Sequence, residues 1–222
     1  MSGAHNFWIF IHILLFVFWL GADLGVFICG QLVKRSDQSF DQRMLLVKVL
    51  SMIDMGPRTS FALMLPVGLQ LSVNMHLIPL GTPGLVLCWL FSAVWLAVTW
   101  GIPLNEGKPV ALSLRKIQTL LLLIVTVVLV PVGAWSMFGE GPVISDWLSF
   151  KIMVFGLICG LAILIDLTFI PVVAAFTELA EQGSTPEIET KITAGMNRVF
   201  AVVWVLYGAL LISAYIGVTK SF

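Results

Sequence analysis

Six stretches of this sequence stay apolar for long enough to cross a bilayer, and that length decides the fold class. A hydrocarbon core of about 30 Å needs about 20 helical residues at 1.5 Å each. Runs that meet this limit lie at roughly 6–32, 53–74, 84–102, 116–138, 148–177 and 193–218. Inside lipid the backbone must satisfy its own polar groups, so each run is expected as a helix. Of the 222 residues, 59% are hydrophobic and 11% charged, and the mean hydropathy is +1.03. A soluble domain could not cover that much apolar surface. The expected fold is therefore all-α, a polytopic membrane protein with six transmembrane helices in a single membrane domain, 1–222.

The same composition narrows the partners. The lipid bilayer is one; a net charge of zero argues against nucleic acid as another. Cys29, Cys88 and Cys159 are scattered singly and read as small apolar fillers. The opening MSGAHNFWIF lacks the basic head of a signal peptide, and its apolar run continues without a small-residue cleavage site. It is expected as a retained first span.

Basic residues set the orientation. The link from the first to the second span carries Lys34, Arg35, Arg43 and Lys48, with Arg58 at its end; the third-to-fourth link has Lys108, Arg115 and Lys116. Lys191 and Arg198 mark the fifth-to-sixth link, which leaves only Lys151 and Lys220 for the opposite side. By the positive-inside rule both termini face away from the cytoplasm.

Few polar groups interrupt the apolar runs, so their placement is informative. In HILLFVFWLGAD, eleven residues at about 100° each return the helix to nearly one azimuth, ~16 Å further along. His12, Phe16, Trp19 and Asp23 thus share a stripe that must face protein, cofactor or water. The first and fifth spans also resemble each other at an offset of 139, and the second and sixth at 140. Four spans separate the copies, so a parallel repeat is expected. At these offsets His12 falls on Lys151, and Arg58 on Arg198. Two polar layers follow: His12 and Lys151 toward the outer surface, and Asp23, Asp166, Arg58 and Arg198 toward the cytoplasm.

Each layer admits two readings. In the inner one, Asp23 and Asp166 either pair with Arg58 and Arg198 to lock the helices or form a proton or ion route. Asp54 stands four residues before Arg58 and could satisfy it locally. In the outer layer His12 is either a packing residue or an axial ligand for haem iron, and Lys151 either snorkels or supplies the second ligand. His5 and His76, with Met75, offer a looser alternative, a copper site that also draws on His12. Of eight tryptophans, Trp8, Trp89 and Trp147 fit an outer interfacial belt and Trp100 an inner one. Trp19, Trp135 and Trp204 lie deeper and are expected as core or against a flat ring.

The residues His12, Trp19 and Gly21 give an H-x6-W-x-G pattern. It resembles the first helix of HemJ-type protoporphyrinogen oxidases and of the copper-resistance protein D group, both bacterial membrane proteins. MGPRTSFALMLPVGLQLS, WLSFKIMVF and MNRVFAVVWVLYG are similar to the second, third and fourth HemJ-type helices. The likeness covers spans one, two, five and six, and makes the third and fourth an insertion. Two features depart from it: GVFICGQL lacks an expected arginine, and Arg198 is followed by Val199 and Phe200 rather than Asn-Glu.

The resemblance implies haem b held by His12 and Lys151 with Trp19 nearby, a membrane oxidoreductase of the bacterial inner membrane, and an electron-transfer partner or homo-oligomer. The alternatives are a haem-free transporter or copper-handling protein and a structural subunit of a membrane complex.

Overall fold

The computed structural model describes residues 3–221, which form six helices and, among these residues, no strand. They are α1 (Gly3–Val33), α2 (Phe40–Asn74), α3 (Thr82–Leu104), α4 (Pro109–Phe138), α5 (Asp146–Gln182) and α6 (Pro186–Thr219). Five of them, α1, α3, α4, α5 and α6, are long and apolar enough to cross a membrane. α2 is not among them. It has 35 residues, yet Asp41, Arg43, Lys48, Asp54 and Arg58 fill its first half and Gln70 and Asn74 dilute its second. The expected run at 53–74 is thus the second half of a longer and more polar helix.

Local chemistry explains where the helices start. Ser39 accepts from the Gln42 backbone N–H while the Gln42 side chain accepts from the Ser39 N–H, so a capping box opens α2 well before residue 53. Pro83, Pro109 and Pro186 stand in the first turns of α3, α4 and α6, where a missing N–H costs no helical bond. Thr185 also caps α6 by accepting from the Ile188 N–H. Pro57, Pro66, Pro131 and Pro171 lie inside helices. Each removes one backbone donor, a loss that packed neighbouring helices tolerate.

Sequential helices pack as neighbours: α1 on α2, α4 on α5 and α5 on α6, with α3 bridging α2 and α4 and a small contact between α1 and α6. α4 and α5 approach closely. A Cβ at Gly133 would lie 2.6 Å from the Met153 backbone nitrogen, and one at Gly156 would lie 3.0 Å from that of Val130. Lipid tails are as apolar as leucine, so van der Waals closeness of this kind is what holds such helices together.

The main core is aromatic. Phe61 centres it, with ring centroids 4.6 Å from Trp19, 5.1 Å from Trp95 and 5.4 Å from Phe155. Those four rings tie α1, α2, α3 and α5 together. A second cluster joins α5 and α6 near their hairpin, around Val172 and Ile192, which are fully buried. Outward, long rows of leucine, isoleucine, valine and phenylalanine are left uncovered, as on α1 at Phe10, Ile13, Val17 and Phe18.

Candidate functional site

The α1 stripe does face inward. Trp19 is 4% exposed, Phe16 packs against the aromatic core, and His12 and Asp23 are half-buried. Trp19 is committed to Phe61 and Phe155 as core. The other two deep tryptophans differ from expectation: Trp135 and Trp204 are 60% and 59% exposed. Counting along a helix gives a position on its axis but carries no information on azimuth.

In the outer layer His12 rests on α2 at Gly68, where a Cβ would stand 3.5 Å from the imidazole Cε1. Its Nδ1 is buried and, among the described residues, has no hydrogen-bond partner. Lys151 runs along α6 instead; its ammonium lies so close to Gly217 that a Cβ there would collide with it. The two side chains feel each other electrostatically. No hydrogen bond joins them.

At the repeat offsets, His12 against Gly68 corresponds to Lys151 against Gly208. A Cβ on Gly208 would meet nothing within 4 Å. The α1–α2 and α5–α6 hairpins therefore close in different registers.

These residues do not fit a haem between His12 and Lys151 as the helices stand. The free imidazole nitrogen is tucked beside Gly68 and the lysine is laid on α6. The rings below are packed on one another at 4.6–5.4 Å. The looser copper set is likewise dispersed: His5 is buried near the start of α1, while His76 is exposed just after α2. Among the described residues no three His, Cys, Asp or Glu side chains gather as a metal-binding group.

The inner layer is more concentrated. Arg58 Nε donates to Asp54 Oδ2 at 2.5 Å, one turn back along α2. The Arg58 charge also acts on Asp23 of α1 and Asp166 of α5, and Arg115 of α4 acts on Asp166. From α6, the Tyr207 hydroxyl donates to the Asp23 backbone oxygen at 3.0 Å and lies beside the Asp23 carboxylate. Five helices thus bring polar groups to one level.

The expected cross-helix ion pairs are not formed: Arg58 takes its neighbour on α2, which leaves Asp23 and Asp166 near it and, among the described residues, without an ion pair. Arg198 stays out of the cluster. It stands exposed on α6 and, among the described residues, has no ion pair or hydrogen bond.

Closer to the α5–α6 hairpin the structure adds a site that sequence reasoning missed. Arg43, 1% exposed, donates from Nη1 and Nη2 to the Glu189 carboxylate at 2.9 and 3.1 Å and from Nε to the Val33 backbone oxygen at 2.8 Å. Its guanidinium also lies 5.1 Å from the Phe176 ring. One side chain thereby joins the end of α1, α2, α5 and the start of α6. Burial pushes the Glu189 carboxyl up, but hydrogen bonds from Arg43 and Ser184 and the Arg43 charge outweigh it and hold the group below its ordinary value. The only prior signal was a basic residue in a polar link.

Fold and site together define the class: a multi-pass, all-helical chain suited to a lipid bilayer, with ionisable groups drawn toward its interior. The chain matches no protein-family model, no curated protein and no solved structure.

Proposed function

We propose that this chain is a haem-free membrane transporter of protons, or of a solute coupled to them, working through the inner cluster. One observation carries this reading. Three carboxylates from three helices, Asp23, Asp54 and Asp166, share the field of a single central guanidinium, Arg58. Ion-pairing satisfies only one of them at a time, and an isolated carboxylate in a membrane interior is costly enough to mark a route. Arg58 bonds Asp54 here; moving its guanidinium to Asp166 or Asp23 would free one carboxylate to take a proton while another gives it up. Tyr207 keeps Asp23 in place. In this reading α2 completes a six-helix bundle in the bacterial inner membrane with both termini outside, and α1–α2 and α5–α6 descend from a duplicated hairpin whose registers have since diverged.

Purified protein in vesicles holding a pH-sensitive dye tests it. The wild-type chain should dissipate an imposed proton gradient, and Asp23→Asn and Asp166→Asn should each slow this tenfold or more while eluting as folded protein. Wild-type rates in both variants overturn the reading.

A second reading is favoured by the unpartnered His12 Nδ1. It is a resident haem b, held through His12 once α1 and α2 part at Gly68, which would supply one-electron chemistry to a membrane oxidoreductase. Protein from haem-replete cells should then show a Soret band that His12→Ala removes. A colourless preparation rejects it.

A further inference from the structure

Arg198 is the one residue of the expected inner layer that lies outside it, and its surroundings suggest another use. A hollow of about 460 Å³ opens between α5 and α6. Its walls come from residues 171, 174, 175 and 178 on α5 and 190, 191, 194, 195 and 198 on α6. The α5 set, and the α6 set from 191 onward, follow the i, i+3, i+4, i+7 spacing of a single helix face. Small residues make the floor, and at Gly195 the helices come so near that a Cβ would lie 2.7 Å from Val172 Cγ2.

The charges in this hollow do not cancel. Lys191 is held by Glu178 at 2.9 Å and by Glu187 at 3.1 Å. Arg198 has no such partner among the described residues. Lys191 is thus already neutralised by its carboxylate partners, which leaves Arg198 as the lining charge without an ion pair among the described residues. A guanidinium with all its donors free matches a phosphate oxygen pair well.

The same two faces continue away from the hairpin as apolar surface. Leu164 and Leu167 extend the α5 face and are 43% and 56% exposed; Val205 extends that of α6 and is 59% exposed. A polar hollow that opens onto an uncovered apolar strip has the two-part chemistry of a phospholipid. Basic pockets between membrane helices hold anionic head groups in this way.

We propose that the α5–α6 hollow is a binding site for one anionic glycerophospholipid, with its phosphate on Arg198 and its acyl chains along Leu164, Leu167 and Val205. A zwitterionic lipid brings no net charge to offset Arg198, and a free phosphate brings nothing to cover the apolar strip.

Native mass spectrometry and thermal melting of delipidated protein in a neutral detergent test this. Phosphatidylglycerol should be retained at one copy per chain and raise the melting temperature, whereas phosphatidylcholine and inorganic phosphate should not. Arg198→Gln should weaken phosphatidylglycerol retention at least tenfold without altering the lipid-free melt. Ala194→Leu, which fills the hollow and leaves every charge in place, should do the same. Retention equal to wild type in both variants overturns the proposal, as does an equal response to phosphatidylcholine or to inorganic phosphate.

Discussion

Arg43 and Glu189, 146 positions apart in the chain, form a two-pronged ion pair at 2.9 and 3.1 Å across the α2–α6 junction. The arginine is buried, and its third donor is spent on the Val33 oxygen that ends α1. Four helices therefore depend on one guanidinium. Removing the arginine takes charge-assisted hydrogen bonds from Glu189, which keeps only the Ser184 hydroxyl, and leaves the Val33 oxygen without its donor, at a cost of about 1.5–3 kcal/mol. Arg43→Ala should lower stability by that amount and loosen the α1–α2 and α5–α6 hairpins together. Unfolding in mixed micelles measures the first, and protease sensitivity of the 34–39 and 183–185 links the second.

The same pair gives a pH dependence with a definite sign. The Glu189 carboxyl titrates below its ordinary value of 4.5, so the folded chain binds that proton less readily than the unfolded one. Its contribution is complete above that ordinary value and is lost as pH falls below it through the depressed one. Melting temperature should therefore drop between pH 5 and more acidic buffer, and Glu189→Gln should flatten this part of the profile while lowering stability at neutral pH. An unchanged acid slope in the variant would show that Glu189 is not the titrating group.

Gly133 and Gly160 sit on the same helix pair and should respond in opposite ways to one methyl group. At Gly133 a Cβ meets the Met153 backbone nitrogen at 2.6 Å, and backbone cannot step aside. At Gly160 the nearest atom is the Thr126 methyl at 3.6 Å, an ordinary contact. Gly133→Ala should cost about 1–3 kcal/mol or more through forced separation of α4 and α5. Gly160→Ala should be neutral or slightly stabilising. Paired melts of the two variants decide it.

How far the sequence carried this picture depends on the kind of information each feature needs. Helix existence was legible because apolar length alone dictates it, and the inward stripe of His12, Phe16, Trp19 and Asp23 because eleven residues fix an azimuth. The Asp54–Arg58 pair was legible as i, i+4 spacing on one helix. Features that join distant helices were not. Arg43 looked like one more cytoplasmic charge, since nothing local points to a partner on α6. Lys151 against Gly217 rather than Gly208 was hidden because apolar helices match one another at many offsets. Trp135 and Trp204 show the same limit: depth follows from counting, whereas the face a side chain presents depends on which neighbour the helix chooses.

The inner cluster makes a last prediction from its geometry. Arg58 holds Asp54 through Nε, and its charge already reaches Asp23 and Asp166. Asp54→Asn removes the local partner without removing the cation, so the guanidinium is left to be shared by carboxylates on α1 and α5. The cation keeps carboxylates on α1 and α5 within reach once its local partner is gone, so the loss of stability should be small. The new cross-helix attraction should offset it. Asp54→Asn is thus expected to melt close to wild type, whereas Asp54→Asn combined with Asp166→Asn should melt lower than the two single changes summed. Such non-additivity is what a shared central charge produces, and strict additivity in a double-mutant cycle would mean that Arg58 serves Asp54 alone.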